Sequence, residues 1–189
     1  VHHLGMSSLD SGSTSYSSWC STNGNSSDIF QHRGGMSLAG KIITDIHPPQ
    51  VVSVGLPFLI AELIDQAALN EASVNLEGSK KLAAQNISPF VHIYTRSNDE
   101  FDIRARMFAP FDGMLEDPAT GSANCALGGL LTHYNDSSSG DFEWKIAQGV
   151  EMGRPSYLKA RTQKKSGEVT AAYIGGNCVM VSEGIIFVD

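Results

Sequence analysis

Residues 124–134 restrict the fold more than any other stretch of this 189-residue chain. They read as a helix in which small or apolar side chains occupy nearly every position. A helix without a substantial polar face is stable only when most of its sides are buried, so other elements must surround it. The neighbouring sequence supplies strands. Residues 90–95 and 101–108 flank the turn-forming Ser97-Asn98-Asp99-Glu100 and predict a hairpin. In its second strand Phe101, Ile103, Ala105 and Met107 alternate with Asp102, Arg104 and Arg106. Further strands are predicted over 142–147, 157–163, 169–174, 179–181 and 185–188, with short helices over 64–69 and 76–85. Residues 51–60 read as one strand, its middle or edge shaped by Gly55 and Pro57. The expectation is an α+β domain, a mostly antiparallel sheet curled around one central buried helix.

The first part of the chain differs in character. Ten of the 21 residues from Ser7 to Ser27 are serine, and such a stretch buries too little apolar surface to offset its ordering entropy. Residues 1–47 are therefore expected to be a low-complexity lead-in, disordered or a remnant, and residues 48–189 the folded domain. The first residue is Val1, so the chain reads as a fragment or processed product, and His2-His3 as a tag scar rather than a metal site.

Composition excludes several functions. A formal charge of -7 disfavours phosphate backbones and anionic lipid surfaces. Residues 51–60 are too short and too interrupted to span a bilayer, and the N-terminus lacks the basic-then-apolar pattern of a secretory leader. Three widely separated cysteines, Cys20, Cys125 and Cys178, do not make a disulfide framework or a Cys-x-x-Cys site. No histidine spacing resembles a zinc site. Cytoplasmic location without a metal is expected.

The segment Glu116-Asp117-Pro118-Ala119-Thr120-Gly121-Ser122-Ala123 places a helix start directly before the buried run. Two readings are open: Asp117 caps with Pro118 at the first helical position, or Thr120 caps and Gly121 opens the helix. Either leaves free N–H groups and the positive end of the helix dipole facing outward, a seat for a carboxylate or phosphate. Gly121, Ser122 and Ala123 are small enough for a ligand to approach the backbone, and Ser122 adds a hydroxyl. Asp117 and Glu116 place carboxylates beside the seat, where one could orient an ammonium group or transfer a proton.

Phe108-Ala109-Pro110, Gly113 and the segment from Glu116 through Ala123 resemble the signature of PhzF-like phenazine-biosynthesis proteins. Ser53-Val54-Gly55-Leu56-Pro57 is similar to that family's Ser-Thr-Gly-Leu-Pro strand. Gln148-Gly149-Val150-Glu151-Met152-Gly153-Arg154-Pro155-Ser156 is similar to its Gln-Gly-x-x-Met-Gly-Arg-Pro-Ser loop, and Gly175-Gly176 and Glu183-Gly184 fall where it has turns. The resemblance implies a diaminopimelate epimerase-like fold of two similar domains, with a cleft between them. It also implies a cofactor-free isomerase that removes and returns a proton on a small carboxylate substrate. Asp117 and Ser122 match catalytic positions, and Gly121, Ser122 and Ala123 match the substrate-carboxylate seat. The family's proton-shuttling Glu lies in an N-terminal domain, in Ser-Glu-Thr after a Gly-Asn-Pro motif, and neither string occurs here. The chain is thus expected to be the C-terminal half, active as a homodimer or by pairing with the other half. The alternative is a non-catalytic anion-binding or dimerisation domain.

Four other residues carry expectations of their own. Cys125 is a candidate base by analogy with related epimerases, or a small buried helix residue. His133 is expected to meet carbonyls at the helix end, His92 to be a satisfied or surface histidine, and Arg154 to make a structural ion pair or contact a ligand anion.

Overall fold

A computed structural model describes residues 20–22, 36–37, 43–85 and 87–187. Much of the expected lead-in, 1–47, lies outside these residues. Its described pieces are β1 (Cys20–Thr22), which pairs antiparallel with residues 51–53, β2 (Met36–Ser37), which pairs with residues 73–74, and residues 43–47, of which Ile43 bridges to Leu63.

The main sheet has nine strands and is mixed. After β1 come β3 (Gln50–Ser53), β4 (Pro57–Glu62), β6 (Val91–Arg96), β7 (Ile103–Ala109), β9 (Gly140–Gln148), β10 (Ser156–Lys165) and β11 (Glu168–Gly176) in spatial order, with β8 (Met114–Asp117) paired to β7. The β4–β6 and β7–β9 pairs are parallel and the other pairs in this sheet antiparallel. A separate short strand, β5 (Ser73–Val74), lies between the helices α1 (Gln66–Glu71) and α2 (Leu76–Ala84). The long helix is α3 (Gly121–His133).

The single strand expected over 51–60 is instead the β3–β4 hairpin. Gly55 sits at φ 127°, and its N–H donates to the Ser53 hydroxyl. Only glycine reaches that backbone region without strain, so Gly55 makes the turn rather than shaping a strand. Residues 177–187, expected to include two more strands, have no regular structure, and Val188 lies outside the described residues. Their apolar side chains, Val179, Val181, Ile186 and Phe187 among them, are exposed.

Strand alternation creates two cores. Phe58, Ile60, Tyr94, Ile103, Ala105 and Met107 face α3, whose residues from Ala123 through Thr132 are all buried. Leu59, Ala61, Val91, Ile93 and Phe108 face the opposite way, into a second core with Leu69 of α1 and Leu82 of α2. The central strands are buried on both faces, which accounts for their near-continuous apolar character. Burial of Leu127, Leu130 and Leu131 stabilises α3 by about 1.5–3 kcal/mol each. Gly128 lets α3 approach β10: a Cβ there would lie 3.1 Å from the Ala160 Cβ. At the far end of α3, the buried Lys164 of β10 donates to the carbonyls of His133 and Asn135. A cation therefore meets the negative end of the helix. No helix among the described residues is long and apolar enough to cross a membrane.

Candidate active site at the start of the buried helix

The register across the sheet brings distant residues into one row. Gln50 pairs with Ile60, Ile60 with His92, His92 with Met107, and Met107 with Asp117. These five positions face the same side of the sheet, the side that carries α3. Strand β8 ends at Asp117, and Pro118, lacking an N–H, cannot extend the ladder. The chain then turns into α3 with Thr120 as N-cap and Gly121 as first helical residue. Of the two possible helix starts, the second is the one formed.

Asp117 is held by short-range bonds. Its Oδ2 accepts from the Thr120 hydroxyl at 2.6 Å, and its Oδ1 from the Ala119 N–H at 3.4 Å. The Thr120 hydroxyl is thereby directed at Asp117 and makes no cap bond to the first N–H groups of α3. As in any α-helix, the N–H groups of the first residues, here Gly121, Ser122 and Ala123, have no intrahelical acceptor. Gly121 and Ser122 are half-buried, Ala123 fully buried.

Glycine at 121 is not demanded by the protein itself. Its φ is not positive, and a Cβ there would make only an ordinary contact with Ile174 Cγ2 at 3.6 Å. Its missing side chain leaves the backbone accessible from outside. By contrast, Gly149 is required: at φ 76° a Cβ would lie 2.4 Å from the Arg154 carbonyl oxygen and 2.8 Å from that of Pro118. The 149–155 loop therefore packs against the Asp117-Pro118 turn, and two segments separated in sequence become one site. Gln148, fully buried, binds them together by donating to the Asp117 carbonyl at 2.6 Å and to Thr120 Oγ1 at 3.0 Å. Sequence reasoning noted Gln148 only as part of a motif.

Several neighbouring groups are not available for proton transfer. Glu116 is clamped by Arg106 in a two-pronged ion pair, with both bonds 2.8 Å long. The same Arg106, itself buried, donates to the carbonyls of Leu69 and Ala72 where α1 ends. Glu116 is thus a structural anchor between β8 and α1. Cys125 is buried, and burial pushes its thiol up to about 11, which suppresses the reactive thiolate. The small-buried-residue reading of Cys125 fits this environment. Arg154 is exposed and pairs with no carboxylate among the described residues.

His92 corrects another expectation. It is fully buried rather than surface-exposed, and neither ring nitrogen completes a hydrogen bond. Burial lowers its pKa to about 4; the nearby Asn124 amide, which acts in the opposite sense, offsets only part of this. His92 is therefore neutral at physiological pH. Among the described residues no group of three or more His, Cys, Asp or Glu could hold a metal ion.

The model of the phenazine biosynthesis-like protein family matches residues 18–184, and the chain belongs to that family. An uncharacterized isomerase of Mesorhizobium japonicum is 31% identical over 141 residues, covering 72% of this chain and 47% of its own length. The trans-2,3-dihydro-3-hydroxyanthranilate isomerase of Pseudomonas chlororaphis is 40% identical over 83 residues, 44% of this chain and 30% of the relative. In structure, a PhzF-family phenazine biosynthesis protein of Bacillus anthracis superposes with a TM-score of 0.73 at 16% identity, over 86% of this chain and 56% of that one. The mixed, curled sheet with few helices is that family's fold. The chain spans about half the length of the curated relatives it matches.

Proposed function

We propose that this chain supplies the C-terminal half of the active site of a cofactor-independent isomerase or epimerase. The reaction is removal and return of a proton on a small carboxylate-bearing metabolite. The observation that carries this reading is the start of α3, where Thr120 turns away from capping and Gly121 is bare without internal need. Gly121, Ser122 and Ala123 receive the substrate carboxylate, Ser122 adding its hydroxyl. Asp117, oriented by Thr120, contacts polar groups of the substrate close to the reacting carbon. The isomerase names of the relatives support the reaction class.

The proton-transfer base comes from a companion half, because Glu116 is engaged by Arg106 and Cys125 is buried as a thiol. In this reading α3 is the central helix of a diaminopimelate epimerase-like domain spanning residues 48–189, the lead-in adds an edge strand, and the working cytoplasmic assembly is a homodimer or a pairing with the other half. The exposed apolar run within 177–187 offers surface for such pairing. The same two observations on Glu116 and Cys125 favour a second reading, a domain that binds carboxylates without turning them over.

Solvent-deuterium incorporation separates the two. A protein carrying both halves is incubated with candidate carboxylates in deuterium oxide, as wild type and as Asp117→Ala and Ser122→Ala. Incorporation by wild type that falls in both variants supports the isomerase and its residues. Equal incorporation in all three overturns the assignments, and binding without incorporation under any condition selects the second reading.

A further inference from the structure

Thr120 holds the N-cap position of α3 but does not cap it. A threonine there ordinarily accepts from the N–H of the second or third helical residue, here Ser122 or Ala123. Instead its hydroxyl donates to Asp117, while Gln148 engages it from inside. Gln148 Nε2 donates to Thr120 Oγ1 at 3.0 Å, and Gln148 Oε1 accepts from the Thr120 N–H at 3.3 Å. The amide of Gln148 cannot turn freely. Its Oε1 also accepts from Asn124 Nδ2 at 2.6 Å, and its Nε2 donates to the Asp117 carbonyl. Asn124 is fixed in turn by a second bond from Nδ2 to the Thr120 carbonyl at 2.9 Å. Gln148 is fully buried with both ends of its amide bonded, and an amide left unpaired there costs about 1–3 kcal/mol, so its orientation resists rearrangement.

We propose that Gln148 is a positioning residue that withholds Thr120 from capping α3, keeping the Ser122 and Ala123 N–H groups open to a carboxylate and Asp117 oriented beside them. The proposal deepens the reading of the α3 start as a carboxylate seat and rests on it for its purpose. The latch itself is a separate physical claim. Without Gln148, the Thr120 oxygen loses the amide donor that occupies it, and can accept from the Ser122 or Ala123 N–H while its own proton stays on Asp117, which closes the seat. Removing the Thr120 hydroxyl as well would open it again. A residue that merely supports the fold has no such reversal.

The test is amide hydrogen exchange at Ser122 and Ala123, resolved by NMR, with acetate titration on the same samples. Gln148→Leu is expected to slow exchange at one or both positions about fivefold, the equivalent of a cap worth about 1 kcal/mol, and to abolish the acetate-induced shifts. The double variant Gln148→Leu/Thr120→Val is expected to restore both. Unchanged exchange in Gln148→Leu, or slow exchange persisting in the double variant, overturns the latch. Should Gln148→Leu not fold, Gln148→Met takes its place with the same expected and overturning results, and faster exchange at Ser122 and Ala123 in Thr120→Val would show that Thr120 was capping after all and overturn the latch. If the exchange pattern holds while wild type shows no acetate response, the latch stands and the seat reading falls.

Discussion

One buried residue, His92, should make this protein lose stability as the pH falls below 6.5. His92 is fully buried and its pKa is pulled from 6.5 to about 4. In the unfolded chain the imidazole takes up a proton below about pH 6.5, whereas in the folded chain it resists until about pH 4. Between these limits the unfolded state binds more protons, so stability falls as pH falls. Each pH unit across that window is worth about 1.4 kcal/mol. The loss attributable to His92 is therefore about 2 kcal/mol by pH 5 and about 3 kcal/mol by pH 4, then levels off. Carboxylates such as Glu62, whose pKa is also lowered, add their own loss at the acid end of this range. Comparison with His92→Leu removes that background. Urea unfolding of both proteins at intervals from pH 7.5 to 4 should give stability curves that converge or cross, wild type losing about 3 kcal/mol more than the variant. Parallel curves over the whole range would refute the claim that the buried imidazole is held neutral.

Three other perturbations follow from the geometry. Arg106→Met leaves the Glu116 carboxylate and the α1 carbonyls without their donor, and should cost about 3–5 kcal/mol in chemical unfolding; a loss under 1 kcal/mol would show that Glu116 is not anchored as described. Gly149→Ala forces a Cβ against two carbonyl oxygens at a positive φ. It should destabilise by more than the 1–2 kcal/mol of backbone strain alone, with raised hydrogen exchange in the 149–155 loop; a neutral effect would mean that the loop does not bear on Pro118. Gly128→Ala sets the helix-propensity gain of about 1 kcal/mol against a 3.1 Å contact with Ala160, and thermal unfolding should show a net loss; a gain would show that β10 can yield.

What the sequence revealed follows from which forces act locally. Helix α3 was legible because apolar residues around its whole circumference leave burial as the only stable outcome. The β6–β7 hairpin was legible because the alternation through Met107 flanks a turn of polar residues. The β3–β4 turn was misread because Val-Gly-Leu-Pro is apolar enough to pass for strand, and only the positive φ of Gly55 discloses the reversal. Strand β8 escaped notice because Met114 and Leu115 are exposed and the strand is four residues long. His92 and Gln148 show a different limit. Alternation predicts which face a side chain takes, but not the amides of Asn124 and Thr120 that it meets there, since those come from elements 28 to 32 residues away.

The central claim is that α3 opens as a carboxylate seat whose bare first residue serves a ligand rather than the fold. Acetate titration of wild type and Gly121→Ala, with amide shifts and unfolding free energy measured on the same samples, addresses it directly. The account predicts saturable shifts centred on Gly121, Ser122 and Ala123 in wild type, weakened severalfold in Gly121→Ala, while the stabilities agree within about 0.5 kcal/mol. Shifts scattered elsewhere, or a variant that binds as well as wild type, would contradict it.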